Sequence, residues 1–200
     1  MVLTAPGGRT TTEQLASAGG VAAAAAAAAS AFTPTQLSQV LGGQPLLVGA
    51  GAFGNVFVGT LADGRRVAVK QMQLASAALQ KKKDKAKLGG GRADPYAGET
   101  GFRLEVLSKY AHPNLVQLIG HCIEKQSWLK KSTTCSLVLE YMPGGSLLAR
   151  LRPASAAPAR TAQERFDVAA DVAKALHYLH AEAHTPLIHQ DAKSDNILLA

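Results

Sequence analysis

The stretch that most constrains the fold is PLLVGAGAFGNVFVGTLADGRRVAVK, residues 45–70. It carries runs of β-branched and other apolar residues at 46–48, 56–58 and 67–69, the last followed by Lys70, and Asp63-Gly64 separates the last two runs. The Asp-Gly dipeptide favours the tight turn of a β-hairpin. The stretch therefore predicts three consecutive strands, with a glycine-rich connection between the first two.

The rest of the sequence predicts two further strands and several helices. NLVQLIGHC and SLVLEYM are typical of strands, whereas FRLEVLSKYA, which precedes them, has helical spacing. FTPTQLSQVLGG predicts a short amphipathic helix that ends at Gly42 and Gly43. Thr161 and Glu164 have the spacing of a capping box. Behind that box, apolar residues follow helical spacing at Phe166, Ala169, Val172, Ala173, Leu176 and Leu179. Strands followed by helices predict an α+β fold.

The composition is that of a soluble globular protein, with 47% hydrophobic and 18% charged residues. Residues 1–31 are low in complexity and include an alanine run at 22–29, so they predict a disordered leader. The run is too weakly apolar for a transmembrane segment or a signal peptide, and Val2 excludes N-myristoylation. Two cysteines are too few for a disulfide framework. We therefore expect a cytoplasmic protein, with a peripheral membrane association and an organelle transit peptide left open.

The net charge of +7 is concentrated in one segment, residues 81–92. Six positive residues stand there against the single Asp84, so the segment supplies five of the seven charges: Lys81, Lys82, Lys83, Lys85, Lys87 and Arg92. It contains no aromatic side chain that could stack on bases. The segment predicts a solvated loop, and we expect no nucleic-acid partner.

The glycine-rich connection GAGAFGNV has glycines at Gly49, Gly51 and Gly54. Glycine lets a backbone pass close to phosphate groups, because there is no side chain to clash. A dinucleotide-binding fold would place a helix after such a loop, but here a strand follows, which argues against that fold. Lys70 on the next strand is a candidate phosphate ligand, and a lysine that simply faces solvent is the alternative.

A polar cluster in LIHQDAKSDNILL provides the groups that phosphoryl transfer needs. Asp191 offers a carboxylate that can accept the proton of an attacking hydroxyl. Lys193 offers a cation for the transferred phosphoryl group, and Asn196 offers an amide oxygen for Mg²⁺. Apolar residues on both sides anchor this loop.

Taken in order, GAGAFGNV, VAVK, HPNLVQLIGHC, LVLEYMPGGSL and LIHQDAKSDNILL resemble the eukaryotic protein kinases. The resemblance covers residues 32–200 and is greatest to plant receptor-like and receptor-like cytoplasmic kinases of the Pelle group. It implies a five-stranded antiparallel N-lobe sheet with one helix, followed by the first helices and the catalytic loop of a mainly helical C-lobe. On this basis the N-lobe covers 32–142, the C-lobe begins at 143, and an insertion loop covers 74–100.

The resemblance implies an ATP-dependent and Mg²⁺-dependent serine/threonine protein kinase, which acts on a protein substrate; a receptor or scaffold partner is left open. Asp191 is then the catalytic base, Lys193 the phosphoryl-stabilising cation and Asn196 the metal ligand. Leu139 is the gatekeeper, and the backbone groups of Glu140 and Met142 contact adenine. The implied ATP-binding residues are Val48, Gly49, Gly51, Gly54, Val56, Ala68, Lys70, Leu139, Glu140, Met142 and Leu198.

The sequence departs from the family pattern at two places. Gln190 stands where most members have arginine, which implies that a phosphorylated activation loop is not clamped in the usual way. FRLEV places Glu105 as the ion-pair partner of Lys70, whereas counting back from His112 places Arg103 there. A shift of two residues rotates a helix by about 200°. We favour Glu105, because an inward Arg103 would set two cations side by side.

The sequence stops before the DFG aspartate of the family, so we expect no phosphoryl transfer from these 200 residues alone. Two alternative functions stay open. One is a pseudokinase or interaction module that keeps the fold without the chemistry. The other is a small-molecule phosphotransferase, which shares the His-x-Asp and Asn pattern, although Lys193 and HPNLV argue against it.

Overall fold

The computed structural model describes residues 3–5, 29–51, 54–74, 108–125, 133–152 and 160–200. The chain divides into two compact units. The first, called the sheet unit, consists of Ala29–Ser108 and Leu118–Tyr141. The second, called the helical unit, consists of Met1–Ala28, Lys109–Gln117 and Met142–Ala200. The predicted insertion loop after Leu74 and residues 102–107 of the predicted helix FRLEVLSKYA lie outside the described residues.

Among its described residues, the sheet unit contains one helix and six strands. In chain order these are β2 Ser30–Ala31, α1 Pro34–Leu41, β3 Leu46–Gly51, β4 Gly54–Thr60, β5 Arg66–Leu74, β6 Leu118–Lys125 and β7 Thr133–Glu140. The sheet order is β2-β6-β7-β5-β4-β3. The pairings among β3, β4, β5, β7 and β6 are all antiparallel, which confirms the predicted five-stranded sheet. The short β2 adds a sixth strand, parallel to β6, that the sequence did not predict.

Two local sequence signals form the expected structures in this unit. At the Asp63-Gly64 turn between β4 and β5, Gly64 has a φ of +85° and the Asp63 carboxylate accepts a hydrogen bond from the Arg65 backbone N–H at 3.0 Å. Helix α1 begins with a capping box between Thr33 and Gln36. It ends at Gly42, whose φ of +68° is unfavourable for other residues. The predicted end of this helix at Gly42 is therefore confirmed.

The two faces of the sheet have different neighbours. Val67, Val69 and Val138 point to one face and are buried with Leu37 and Val40 of α1. The residues between them along the strands point to the opposite face, because side chains alternate along a strand. The opposite face carries a second apolar cluster built around Leu118, Cys135 and Leu137. Burial of one face under α1 fixes which residues of β5 and β7 are presented on the other.

The two cysteines lie on adjacent strands but on opposite faces. Cys122 of β6 is opposite Ser136, and Cys135 of β7 is opposite Ile123. The two cysteines form no disulfide, and both are buried. Burial raises the pKa of both thiols, that of Cys135 to about 11.

The helical unit contains three strands, two α-helices and two short helical turns among the described residues. In chain order these are β1 Leu3–Ala5, β8 Gly145–Ser146, α2 Leu147–Leu151, α3 Ala162–His177, a π-helical turn Tyr178–Glu182, a 3₁₀ turn Ser194–Asn196 and β9 Ile197–Leu199. The strands form a sheet in the order β1-β9-β8, in which β1 is parallel to β9. The sequence predicted a disordered leader, and this is wrong for Leu3–Ala5, because these residues pair with β9 and are buried. It is also wrong for Ser30–Ala31; residues 6–28 lie outside the described part of the chain.

Helix α3 has the predicted N-terminus but a different buried face. The capping box is formed, with the Thr161 N–H donating to Glu164 Oε2 at 2.7 Å and the Glu164 N–H donating to Thr161 Oγ1 at 3.2 Å. The buried residues of the helix are Val168, Asp171 and Ala175, whereas Phe166 is 69% exposed. Part of the predicted stripe is therefore wrong, because β1 packs on the face that carries Val168 and Ala175.

We expect substitution of Gly59 by valine to destabilise the sheet unit. A Cβ atom at this position of β4 would lie 2.7 Å from Cγ1 of Val40 and 2.8 Å from its carbonyl oxygen, so α1 would have to move. Overpacking of this kind costs about 1–3 kcal/mol. The measurement is the free energy of unfolding in denaturant. Gly43→Val is the matched control, because a Cβ there meets no atom within 4 Å; equal stability of the two variants would contradict the prediction.

Candidate active site

The glycine-rich connection lies between β3 and β4 of the sheet unit. Gly51 pairs with Gly54 at its end, and Gly49 pairs with Val56 two residues further from the turn. Gly54 has a φ of +108°, and a Cβ atom there would collide with the carbonyl oxygen of Gln71. A Cβ atom on Gly51 would meet nothing within 4 Å. The fold itself therefore requires glycine at Gly54, whereas packing of the described chain does not require it at Gly51.

Lys70 lies in the middle of the sheet, on the face opposite α1. In the register of β5, Lys70 is opposite Val56 of β4 and opposite Leu137 of β7. Ala68, two residues earlier, is opposite Leu139 of β7. All of these side chains point to one face, because they occupy directly opposed or alternate positions. The structure thus brings the predicted Val56, Ala68, Lys70 and Leu139 together.

The remaining predicted residues of the sheet unit lie at the ends of strands. Val48 is in β3 and is half exposed. Glu140 is the last residue of β7 and is opposite Val67. The ring of Tyr141, which follows, is covered by the guanidinium of Arg66 at 4.2 Å from the ring centroid. This cation–π contact fixes the strand end that carries Glu140, and the sequence gave no signal for it. Glu105 lies outside the described residues, so its pairing with Lys70 stays a prediction.

In the helical unit the predicted catalytic residues are close together. Asp191 Oδ1 forms an ion pair with Lys193 Nζ at 2.9 Å. Asn196 Nδ2 donates to Asp191 Oδ2 at 2.7 Å and to the Asp191 carbonyl oxygen at 2.9 Å. The Asp191 N–H donates to Nδ1 of His189 at 3.3 Å. The carboxylate is therefore held in place by Lys193 and Asn196, while about half of the side chain stays exposed.

These contacts keep Asp191 ionised. The hydrogen bonds from Lys193 and, second, from Asn196 hold the pKa of the Asp191 carboxyl below its ordinary value of 3.8. A carboxyl group that stays charged near neutral pH is ready to accept a proton and to attract a cation.

The backbone at Gln190 has an unusual conformation. Among the described residues it is the one non-glycine residue with a positive φ, +64°. Left-handed backbone angles cost a residue with a side chain roughly 1–2 kcal/mol. The bend places the Asp191 N–H within reach of His189 Nδ1, and nothing in the sequence indicated it.

The oxygen groups of this loop suit Mg²⁺. Asn196 uses its amide nitrogen toward Asp191, so its Oδ1 points to the other side of the amide group. Carboxylate and amide oxygens are the hard ligands that Mg²⁺ prefers. The described residues contain no group of three or more His, Cys, Asp or Glu that could hold a metal ion by themselves. The Asp191 carboxylate and Asn196 Oδ1 fit Mg²⁺, which usually takes several further ligands from water or phosphate.

The remaining predicted residues of the helical unit are next to this loop in sequence or in the sheet. Leu198 is in β9, half buried, and is opposite Ser146 of β8. Met142 precedes β8, and its carbonyl oxygen accepts a hydrogen bond from the Gly145 N–H at 3.3 Å.

A family model of the protein kinase domain matches residues 45–200. The chain therefore belongs to the protein kinase domain family. Its curated relatives include receptor-like kinases of Arabidopsis thaliana, which confirms the resemblance seen in the sequence. The proline-rich receptor-like protein kinase PERK8 is 38% identical over 174 residues, which cover 85% of this chain and 22% of PERK8. Receptor-like protein kinase THESEUS 1 is 37% identical over 153 residues, which cover 76% of this chain and 15% of THESEUS 1.

Solved structures share the fold. The pseudokinase DRIK1, drought responsive inactive kinase 1, bound to ENMD-2076, is similar with a TM-score of 0.61 and 23% identity, covering 84% of this chain and 57% of that one. The apo GRMZM2G135359 pseudokinase gives the same TM-score and coverage at 24% identity. Identities this low support the kinase fold alone. Among the described residues, no helix is both long enough and apolar enough to cross a membrane.

We expect substitution of Lys193 by methionine to raise the pKa of Asp191 toward 3.8, because the hydrogen bond from Lys193 is the largest cause of the lowering. The carboxylate of the variant then becomes protonated at a higher pH than that of the wild type. An NMR titration of the Asp191 carboxyl carbon measures this shift. Lys174→Met is the control, because Lys174 pairs with Asp171 at 3.0 Å instead. If Asp191 titrated identically in the wild type, Lys193→Met and Lys174→Met, the effect of the Lys193 contact on Asp191 would be contradicted.

Proposed function

We propose that this chain carries the nucleotide-binding and catalytic-loop residues of an ATP-dependent serine/threonine protein kinase. The observation that supports this most strongly is the cluster of Asp191, Lys193 and Asn196, joined by contacts of 2.7–2.9 Å. The chain spans between 15% and 22% of the curated relatives named above, so the activity of the whole protein is part of the proposal.

In this proposal Asp191 orients the acceptor hydroxyl and accepts its proton. Its carboxylate is exposed and ionised, and Asn196 holds it through one hydrogen bond to Oδ2 and a second to the Asp191 carbonyl oxygen. Lys193 already lies beside the carboxylate and offers a mobile ammonium to the phosphoryl oxygens during transfer. A lysine two residues after the base resembles the pattern of the serine/threonine branch of the family. We therefore propose that the substrate hydroxyls are those of serine and threonine.

The sheet unit supplies the groups that hold the nucleotide. Val56, Ala68 and Leu139 form an apolar surface on the face opposite α1, suited to an adenine ring. Lys70 on the same face supplies a positive charge for phosphate oxygens. The open space beside Gly51 leaves its backbone accessible to a phosphate. Tyr141 and Arg66 hold the strand end at which Glu140 would offer its backbone to adenine.

Mg²⁺, when bound, neutralises charge on the phosphate oxygens. Asn196 would hold it through Oδ1, because Nδ2 of the same amide is used by Asp191. The chain's contribution is therefore one fixed oxygen ligand and an ionised carboxylate close to it.

We propose a cytoplasmic location and protein substrates, with recruitment by a receptor or scaffold left open. The receptor-like kinase relatives support such a role in signalling, and two buried, unpaired thiols suit a reducing compartment. The proposed domain boundaries place the N-lobe at 32–142 and the start of the C-lobe at 143–200.

A pseudokinase is the second candidate, since both solved structures named above are pseudokinases. Such a protein would keep the fold and use it for binding. Lys70, Asp191 and Asn196 are nevertheless all present in this chain, which favours the enzyme.

We expect Asp191→Asn to lower phosphoryl transfer by about 10²–10⁴-fold, because an amide cannot accept the hydroxyl proton. The measurement is transfer of radiolabel from ATP to a general protein substrate, made in the natural protein that contains this chain. Asp167→Asn is the matched control, because Asp167 is an exposed residue of α3 that bonds Gln163. Full activity in Asp191→Asn would refute the role of the base, and a wild-type protein that binds ATP without transfer would favour the pseudokinase.

A pair of glycine substitutions separates nucleotide binding from folding. We expect Gly51→Val to raise the Kd of an ATP analogue about tenfold, or about 1.4 kcal/mol, with an unchanged melting temperature. Gly54→Val should lower the melting temperature, because of the positive φ and the collision with Gln71. Calorimetric titration and thermal unfolding measure the two effects. Unchanged affinity in Gly51→Val would argue against phosphate binding at this hairpin.

A further inference from the structure

A side-chain contact continues the pairing of β5 and β7 beyond the end of their backbone ladder. The ladder ends where Val67 is opposite Glu140. Arg66 and Tyr141 are the next residues outward, and the Arg66 guanidinium lies 4.2 Å from the centroid of the Tyr141 ring. A cation–π contact therefore joins the start of β5 to the residue that follows β7.

This contact lies on the same face of the sheet as the apolar surface proposed for adenine. Arg66, Ala68 and Lys70 occupy alternate positions of β5, so all three point away from α1. From Arg66 the distance along the strand is about 7 Å to Ala68 and about 13 Å to Lys70. Arg66 and Tyr141 therefore border the adenine surface at the end away from the proposed phosphate contact.

The two adjacent arginines at the turn into β5 have different partners. Arg65 belongs to the turn itself, because its Nε donates to Asp63 Oδ2 at 2.7 Å and its backbone N–H donates to Asp63 Oδ1 at 3.0 Å. Arg66 instead lies over the ring of Tyr141. Both arginines are exposed and carry the same charge, so they differ chiefly in the residue that each contacts.

The contact restrains the part of the backbone on which adenine binding depends. In the proposed function Glu140 offers its backbone to adenine, and Tyr141 follows it directly in the chain. A ring held against a guanidinium leaves fewer orientations to the peptide group between Glu140 and Tyr141. A binding group that is restrained before its ligand arrives loses less conformational entropy on binding. The affinity for adenine then depends on two side chains that need not touch the nucleotide.

We propose that Arg66 and Tyr141 are positioning residues for adenine, which set its affinity through the backbone of Glu140 and do not act on the phosphates. The inference rests on the proposed nucleotide site and adds two residues that determine how tightly the base is held there. A cation–π contact at an exposed site corresponds to a factor of about two to five in an equilibrium constant. Loss of the contact should weaken adenine binding by about that factor.

The test measures the Kd of adenosine and of a nonhydrolysable ATP analogue by calorimetric titration, in the natural protein that contains this chain. We expect Arg66→Ala and Tyr141→Leu each to raise both Kd values about two- to fivefold, and the double variant to raise them no further. Tyr141→Phe keeps a ring beneath the guanidinium and should bind adenosine more tightly than Tyr141→Leu. Arg65→Ala is the matched control and should bind like the wild type, since Arg65 contacts Asp63 instead.

The contact also has a signature that does not depend on nucleotide. The ring current of Tyr141 should shift the Arg66 Cδ protons in NMR spectra, and this shift should vanish in Tyr141→Leu and persist in Tyr141→Phe. The same shift in all three proteins would contradict the contact.

Three results of the titration would overturn the inference. A purely structural pair would lower the melting temperature of Arg66→Ala and leave both Kd values unchanged well below that temperature. An increase confined to the ATP analogue would mean that Arg66 acts as a charge on the phosphates. In both cases the proposed nucleotide site would stand and this inference alone would fail. A wild type that bound neither adenosine nor the analogue would instead refute the proposed nucleotide site and the inference together.

Discussion

The register of β5 between β4 and β7 is the constraint on which the sheet unit depends. Side chains alternate along a strand, so a slip of one residue would move every side chain of β5 to the other face. Lys70 would then point toward α1, and Val69 would leave the core that it forms with Leu37 and Val40. The packing of α1 and the placement of Lys70 are therefore two results of one alignment. The close approach of Val40 to Gly59 on β4 reinforces it.

In the helical unit β9 has a comparable role. It is the central strand of its sheet, held by β1 on one side and β8 on the other. Gly144 approaches β9 so closely that a Cβ atom there would lie 2.6 Å from the Leu199 carbonyl oxygen. The 3₁₀ turn that carries Asn196 leads directly into this strand. A polar loop with a strained residue at Gln190 can keep one conformation because its end is fixed in this way.

Local signals in the sequence predicted much of this structure. The Asp-Gly turn, the capping box of Thr161 and Glu164, and the glycine stop of α1 each depend on a few neighbouring residues, and each was found as expected. The polar cluster around Asp191 was also visible, because its members lie within six residues of sequence.

Features that depend on distant contacts were not predictable in the same way. Nothing within Leu3–Ala5 indicates that it pairs with residues almost two hundred positions later. In α3, Asp171 lies on the buried face, and its carboxylate accepts a hydrogen bond from Lys174. Because this buried residue is polar, the apolar residues alone predicted a stripe that differs in part from the buried face. The register of the helix that would contain Glu105 falls outside the described residues, and the choice between Glu105 and Arg103 stays a prediction.

The position of the two cysteines has a practical consequence for chemical labelling. A thiol whose pKa is about 11 is a thiolate in only about one molecule in ten thousand at neutral pH, and Cys135 is buried as well. Cys122 is buried on the other face of the sheet, so both native thiols would react slowly with maleimide reagents. A cysteine introduced at an exposed position such as Ser38 would therefore carry nearly all of a fluorescent or spin label, with the natural cysteines left in place.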